Sequence, residues 1–409
     1  MGLGLSVAAA VAAVVVVVVG APARGVAPLG EPAPSTPVVG PAGDAFFTPP
    51  SPLPTGRPGD VIWYRRAKAA NVLGAAGLAA TDSWQVLYRS TDALGRPDAV
   101  SGLVMVPRGR NPATLPVVGF APGTQGLGDD CAPSRQILAG LEYESLAIDR
   151  ILLRGWAVAV TDYEGLGTPG THTYMVGRPQ GSALLDVVRA ARRLPADGLS
   201  GTSPVALYGY SQGGSASAWA AQLLPEYARE LPVRGVFSGG TPADLTAVTK
   251  ALDGGLGFGF LAAASLGMDA AYPELKLDSF LNQTGRKALA EAKSLCVGTL
   301  MTKYAGKHIK DLTTSDPLTT NPTWKARIDE QKLGRIAPTV PVLLTHGKQD
   351  EFIPLGQAEQ LRKGWCAAGA RITWKTYPGD HISALVSTQT DALDFVADRL
   401  AGKAATSSC

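Results

Sequence analysis

The chain has 409 residues, 45% of them hydrophobic and 17% charged, with a formal net charge of +3. That length and apolar content suit one large α/β domain with an insertion, or two domains, and exclude a disordered or fibrous chain. The small, scattered positive charge contains no run of Lys and Arg, which argues against a nucleic-acid partner.

Residues 3–19 form an almost unbroken apolar run that ends in Gly20 and the small-x-small sequence Ala21-Pro22-Ala23. The run is short for a membrane span, which takes about 20 apolar residues. A cleaved signal peptide over 1–23 is expected, although no basic residue precedes the run. The mature protein is then exported, with no stable membrane span. Residues 24–58, rich in Pro, Ala and Gly, read as a linker or surface-hugging arm.

Strands follow at 84–89 and 99–106, separated by a turn-rich segment around Gly95, and predict an antiparallel hairpin. Short continuous apolar runs then recur at 115–120, 156–160, 204–208, 233–237, 340–344 and 372–377. Continuous rather than alternating strands are buried on both faces, as in a parallel sheet covered by helices. Helical spacing appears between them at 181–194 and 215–224, and again at 387–400. The predicted fold is a mostly parallel α/β sheet flanked by helices. From 244 to 332 no convincing strand is found, so this stretch is expected to form a helical cap. The core then comprises 59–243 and 333–409.

The sharpest motif is Gly209-Tyr210-Ser211-Gln212-Gly213. A nucleophilic Ser on a tight strand-to-helix turn needs small neighbours, because the backbone crowds them. In a chain this rich in glycine the pentapeptide alone is weak. Its context is a strand leading in and a helix leading out, which makes Ser211 the candidate nucleophile. A serine hydroxyl needs a base to take its proton and a carboxylate to orient that base. In this fold the chain order is Ser, acid, His. Asp350 lies on the loop after the strand at 340–344. His381, the sole histidine after that acid, lies on the loop after the strand at 372–377. His346 reads as a structural histidine shaping the acid loop, while His172 and His308 read as surface or pocket-lining residues. The Gln212 N–H is one expected oxyanion donor. The second lies on either the 122–126 loop or the 162–165 loop, and position alone does not choose.

The four cysteines, Cys131, Cys296, Cys366 and Cys409, are far apart in sequence and form no metal-binding cluster. In an exported protein they predict two disulfides, with three pairings open.

Four segments carry a family resemblance: Gly209 to Gly214, Thr161-Asp162-Tyr163-Glu164-Gly165, Asp130-Cys131-Ala132-Pro133-Ser134, and Gln349-Asp350-Glu351-Phe352-Ile353-Pro354. Together, in unbroken order, the set resembles the secretory lipase family of the α/β-hydrolase superfamily. The resemblance implies an extracellular triacylglycerol lipase or esterase with a helical cap, and the triad Ser211, Asp350 and His381. It also implies a second oxyanion contribution from Asp162, and the pairs Cys131–Cys296 and Cys366–Cys409. No cofactor or metal is implied, and the expected partner is an ester or lipid, with a lipid–water interface as a candidate surface. Gln212 departs from the glycine of a yeast member. An acyltransferase using the same triad and a non-catalytic binding protein are the alternatives.

Overall fold

A computed structural model of the protein describes residues 36–70 and 75–409. The expected signal peptide and the start of the N-terminal arm lie outside the described residues.

Ten strands build one sheet: β1 Val38–Val39, β2 Val61–Ala67, β3 Thr81–Thr91, β4 Pro97–Pro107, β5 Val117–Ala121, β6 Ala157–Thr161, β7 Val205–Tyr210, β8 Val233–Gly239, β9 Val342–Gly347 and β10 Ile372–Tyr377. Their spatial order is β1-β2-β3-β4-β6-β5-β7-β8-β9-β10. From β6 to β10 every pairing is parallel, whereas β2, β3, β4 and β6 pair antiparallel. The hairpin turn forms because the Asp92 carboxylate accepts the N–H groups of Leu94 and Arg96, and Gly95 supplies the positive φ. With its strand, helix and topology pattern, the chain has the α/β-hydrolase fold.

The continuous strands β5 to β9 are buried on both faces, whereas β10 at the margin of the sheet is half-buried. In β5, Val117 and Ala121 pack beneath the helices Gly177–Arg193 and Gln212–Tyr227. Val118 and Phe120 instead meet Ile148 and Ile151, together with Leu393 and Val396 of Gln389–Leu400. The sequence pattern missed β2, which carries Arg65 and Arg66 within its span. Their guanidinium groups lie over Phe46 and Trp84, so long charged side chains cover apolar rings at this flank of the sheet. The expected helix at 387–400 forms as Gln389–Leu400, and a further helix, His381–Ser387, precedes it, parted from it at Thr388.

Residues 244–332 contain helices and isolated bridges but no strand. They hold an apolar cluster of their own, centred on Leu261, Leu266, Met268, Leu289, Leu300 and Trp324. Cys131 is disulfide-bonded to Cys296, which ties this region to the core. Beside the bond, the Leu127 N–H donates to Leu295 O and the Val297 N–H to Gln125 O. Cys366 is bonded to Cys409, and the last residues run along β10, where the Ser408 N–H donates to Ile372 O.

Candidate active site

In an open α/β sheet, ligands bind beyond the carboxyl ends of the strands. The register brings the ends of β5, β7, β8, β9 and β10 to one side, so the loops that follow them converge.

Ser211 follows β7 and begins the helix Gln212–Tyr227 with φ +59° and ψ −120°, a left-handed turn that L-residues rarely adopt. The flanking glycines are sterically required. A Cβ on Gly209 would stand 2.1 Å from Gly213 O, and one on Gly213 would stand 1.9 Å from Ala121 O. The Ser211 N–H donates to Gly239 O at 2.9 Å, which pins the turn to the end of β8. As the first residue of the helix, Gln212 has an N–H with no partner inside the helix, at its positive end.

Asp350 and His381 meet at 2.7 Å through Asp350 Oδ2 and His381 Nδ1, and both side chains are buried. The other carboxylate oxygen accepts the N–H groups of Ile353 (2.8 Å) and Phe352 (3.1 Å). An ionised carboxylate only accepts, so His381 carries its proton on Nδ1 and leaves the Nε2 lone pair free. The ring is braced by Phe352 and Tyr210, and the Tyr210 hydroxyl donates to His381 O at 2.7 Å. Glu351 accepts the His381 N–H at 3.0 Å, while Asp380 caps the helix His381–Ser387 instead of facing the ring. His346 is buried, with its Nε2 2.8 Å from Ile353 O and its basicity lowered chiefly by burial, so it stays neutral beside the acid loop.

Ser211 and His381 line one cavity together with Thr124. Residues 244–332 contribute an apolar wall that includes Leu245, Val248, Leu252, Phe260, Leu261 and Met268. His308 lies outside this cavity, partly exposed near Asp253.

Asp162 cannot serve as the second oxyanion donor. Its N–H already donates to Ser101 O at 2.9 Å. Its carboxylate accepts the Ser134 N–H and hydroxyl and the Ser101 hydroxyl, each at 2.6 Å. The residue is fully buried with no donor left, and it tethers β4 and β6 to the helix Pro133–Ala139. The resemblance had matched an Asp by motif, but an aspartate whose N–H is spent can only accept. On the other loop left open by the sequence, 122–126, Thr124 lines the cavity, and its N–H has no acceptor among the described residues.

A buried acid pair, missed in the sequence, holds that loop. Glu144 accepts the Gly123 N–H at 2.5 Å, and Glu142 accepts from Gln125 Nε2 and from the Glu144 N–H, each at 3.0 Å. Burial pushes the Glu142 carboxyl up to about 7; burial likewise raises Asp197 to about 7, and burial with nearby Asp98 raises Glu164 to about 8. Unfolded, these groups lose their protons near pH 4. Between there and pH 8 the folded protein therefore binds more protons than the unfolded chain, and stability falls as pH rises. Histidines held neutral by burial are neutral in both states above about pH 6.5 and do not oppose this trend. The melting temperature is expected to be at least about 4 °C lower at pH 8.5 than at pH 6.5. Glu142→Gln should narrow that gap in a calorimetric comparison; an equal or larger gap would exclude Glu142 as a contributor.

The family model for secretory lipases matches residues 134–408. The chain belongs to the secretory lipase family. It is thereby a carboxylic ester hydrolase of an exported kind. The chain is 30% identical over 396 residues to Lipase 10 of Candida albicans, covering 90% of this chain and 83% of the relative. It is 28% identical over 388 residues to the secreted triacylglycerol lipase LIP1 of Malassezia furfur, covering 90% and 77%. A relative from Mycobacterium tuberculosis, 30% identical and covering 89% and 83%, is named a probable inactive lipase. Among solved structures, Candida antarctica lipase A in its closed state superposes with a TM-score of 0.78 at 27% identity, covering 89% of this chain and 87% of that one.

Proposed function

We propose that this secretory lipase family member hydrolyses carboxylic esters with apolar acyl groups, triacylglycerols among them, through an acyl-enzyme on Ser211. The family alone does not decide activity, since one relative is named as inactive. The observation that carries the reading is the His381–Asp350 pair at 2.7 Å on the wall of the cavity that also exposes Ser211.

His381 Nε2 takes the Ser211 proton as Oγ attacks the ester carbonyl carbon. The carbonyl oxygen becomes an anion, met by the N–H groups of Gln212 and Thr124. Collapse of the tetrahedral species breaks the bond to the alkoxy oxygen, which leaves as an alcohol with the proton from His381. Water then attacks the acyl-enzyme with the same base, releasing acid and restoring Ser211. Asp350 holds the ring in the tautomer that makes this possible and stabilises the imidazolium. The apolar wall contributed by 244–332 removes the acyl chain from water.

Two measurements test this reading. A fluorophosphonate should add once, on the peptide containing Ser211. For p-nitrophenyl esters from acetyl to palmitoyl, kcat/KM should rise by up to about fourfold per added CH₂ over the first few carbons, the worth of about 0.8 kcal/mol of burial each. Absence of both labelling and hydrolysis would overturn the assignment. Labelling with a preference for acetyl would keep the nucleophile and remove the apolar-acyl specificity.

A further inference from the structure

The side chain of Gln212, the residue after the nucleophile, is buried rather than idle. Gln212 Nε2 lies 3.0 Å from His172 Nε2, and His172 Nδ1 lies 2.8 Å from Glu164 O. A carbonyl oxygen only accepts, so His172 carries its proton on Nδ1. Its Nε2 is then an acceptor, and the Gln212 amide must present its NH₂ group there. Burial holds His172 down to about 4, which keeps the ring neutral and this polarity fixed at working pH.

The ring is itself fixed between two tyrosines, Tyr163 with centroids 5.8 Å apart and Tyr174 at 5.9 Å. Both reach the other half of the oxyanion site. The Tyr163 hydroxyl donates to Pro122 O at 2.7 Å, and the Tyr174 hydroxyl is 2.8 Å from Thr124 Oγ1. The segment bends through left-handed conformations at Tyr163 (φ 69°) and Met175 (φ 64°), strain that the surrounding contacts must hold. One stretch of chain thus grips both the first turn of the nucleophile helix and the 122–125 loop.

We infer that His172 is a positioning residue: by accepting from the Gln212 amide it fixes the first turn of the nucleophile helix, and with it the direction of the Gln212 N–H. Tyr163 and Tyr174 perform the same service for the 122–125 loop. The inference rests on the esterase reading above. Its signature is a loss confined to the transition state, because the N–H meets full negative charge only there.

The test uses the full chain and p-nitrophenyl butyrate. His172→Leu removes the acceptor at similar volume, and His172→Gln restores an oxygen near the Nε2 position. Gln212→Met removes the amide from the opposite side while leaving the N–H, so that a folding failure of one variant does not end the test. His172→Leu and Gln212→Met are each expected to lower kcat by about 10- to 100-fold with KM within about twofold. Affinity for an alkyl boronic acid, which presents a tetrahedral anion, should fall by the same factor. The double variant should lose no more than either single one. His172→Gln should recover most of kcat. The inference is overturned if both single variants keep kcat and boronate affinity within twofold, if the loss lies in KM, or if His172→Gln is as poor as His172→Leu. An inactive, unlabelled wild type would overturn the esterase reading itself, whereas an active wild type with unaffected variants overturns this inference alone.

Discussion

Ser211→Ala is expected to lower kcat by about five to six orders of magnitude on any ester substrate, with KM changed by less than about threefold. The size follows from how the parts cooperate. Without Oγ there is no acyl-enzyme, and His381 has no proton to accept on the productive path, so removing the nucleophile costs about as much as removing the whole triad. Residual turnover above the uncatalysed rate, about 10³-fold, should persist through the oxyanion donors and substrate binding. KM is spared because the cavity wall is dominated by apolar side chains that the substitution leaves in place. Initial rates at saturating p-nitrophenyl butyrate, with labelling as a control, check this. A variant retaining even 1% of kcat would mean that another group attacks the ester.

Asp350→Asn should cost about 10⁴ in kcat while leaving the melting temperature nearly unchanged. Asp350 Oδ1 accepts two backbone N–H groups, from Phe352 and Ile353. Asparagine can keep those bonds only by leaving its oxygen there, which swings its NH₂ into the place of Oδ2, opposite His381 Nδ1. The imidazole must then accept at Nδ1 and carry its proton on Nε2. In that tautomer it has no lone pair for the Ser211 proton. The side chain keeps its volume and its loop contacts, so stability is spared. A rate loss below about tenfold would show that the ring finds its proper tautomer without the carboxylate.

The order of the proposed triad was legible because each of its parts is local. Gly209 and Gly213 flank Ser211 because their Cβ positions are occupied by backbone oxygens, a constraint written within five residues. Asp350 and His381 sit a few residues beyond strands recognisable by their own apolar runs. The proposed second oxyanion donor was not local. Asp162 and Thr124 both follow strands, and only tertiary pairing separates them. The partners that occupy Asp162, Ser134 and Ser101, lie 28 and 61 residues away in sequence. His172 was read as ordinary for the same reason: its significance depends on Gln212, 40 residues later. Glu142 and Glu144 look like surface residues in a sequence, since nothing local announces that a carboxyl will be buried and share hydrogen bonds with a loop. β2 failed as a pattern because two arginines interrupt its apolar run: Arg65 lies over Phe46 and Phe47 of the N-terminal arm, and Arg66 over Trp84 of β3.

The tail bonded through Cys366–Cys409 has a bearing on self-association. An outermost strand presents unpaired N–H and C=O groups to any second chain that drifts alongside. Here the Ser408 N–H takes Ile372 O, Thr373 donates its hydroxyl to Thr406 O, and the Trp374 N–H donates to Ser408 Oγ, so the last residues of the protein occupy the free side of β10. The disulfide holds that cover in place, as a hem is held by its stitch. At the opposite margin β1 is two residues long, too short to template a partner. Copies of this enzyme crowded together thus meet, at β10, a margin already occupied and closed to extension into a shared, growing ribbon.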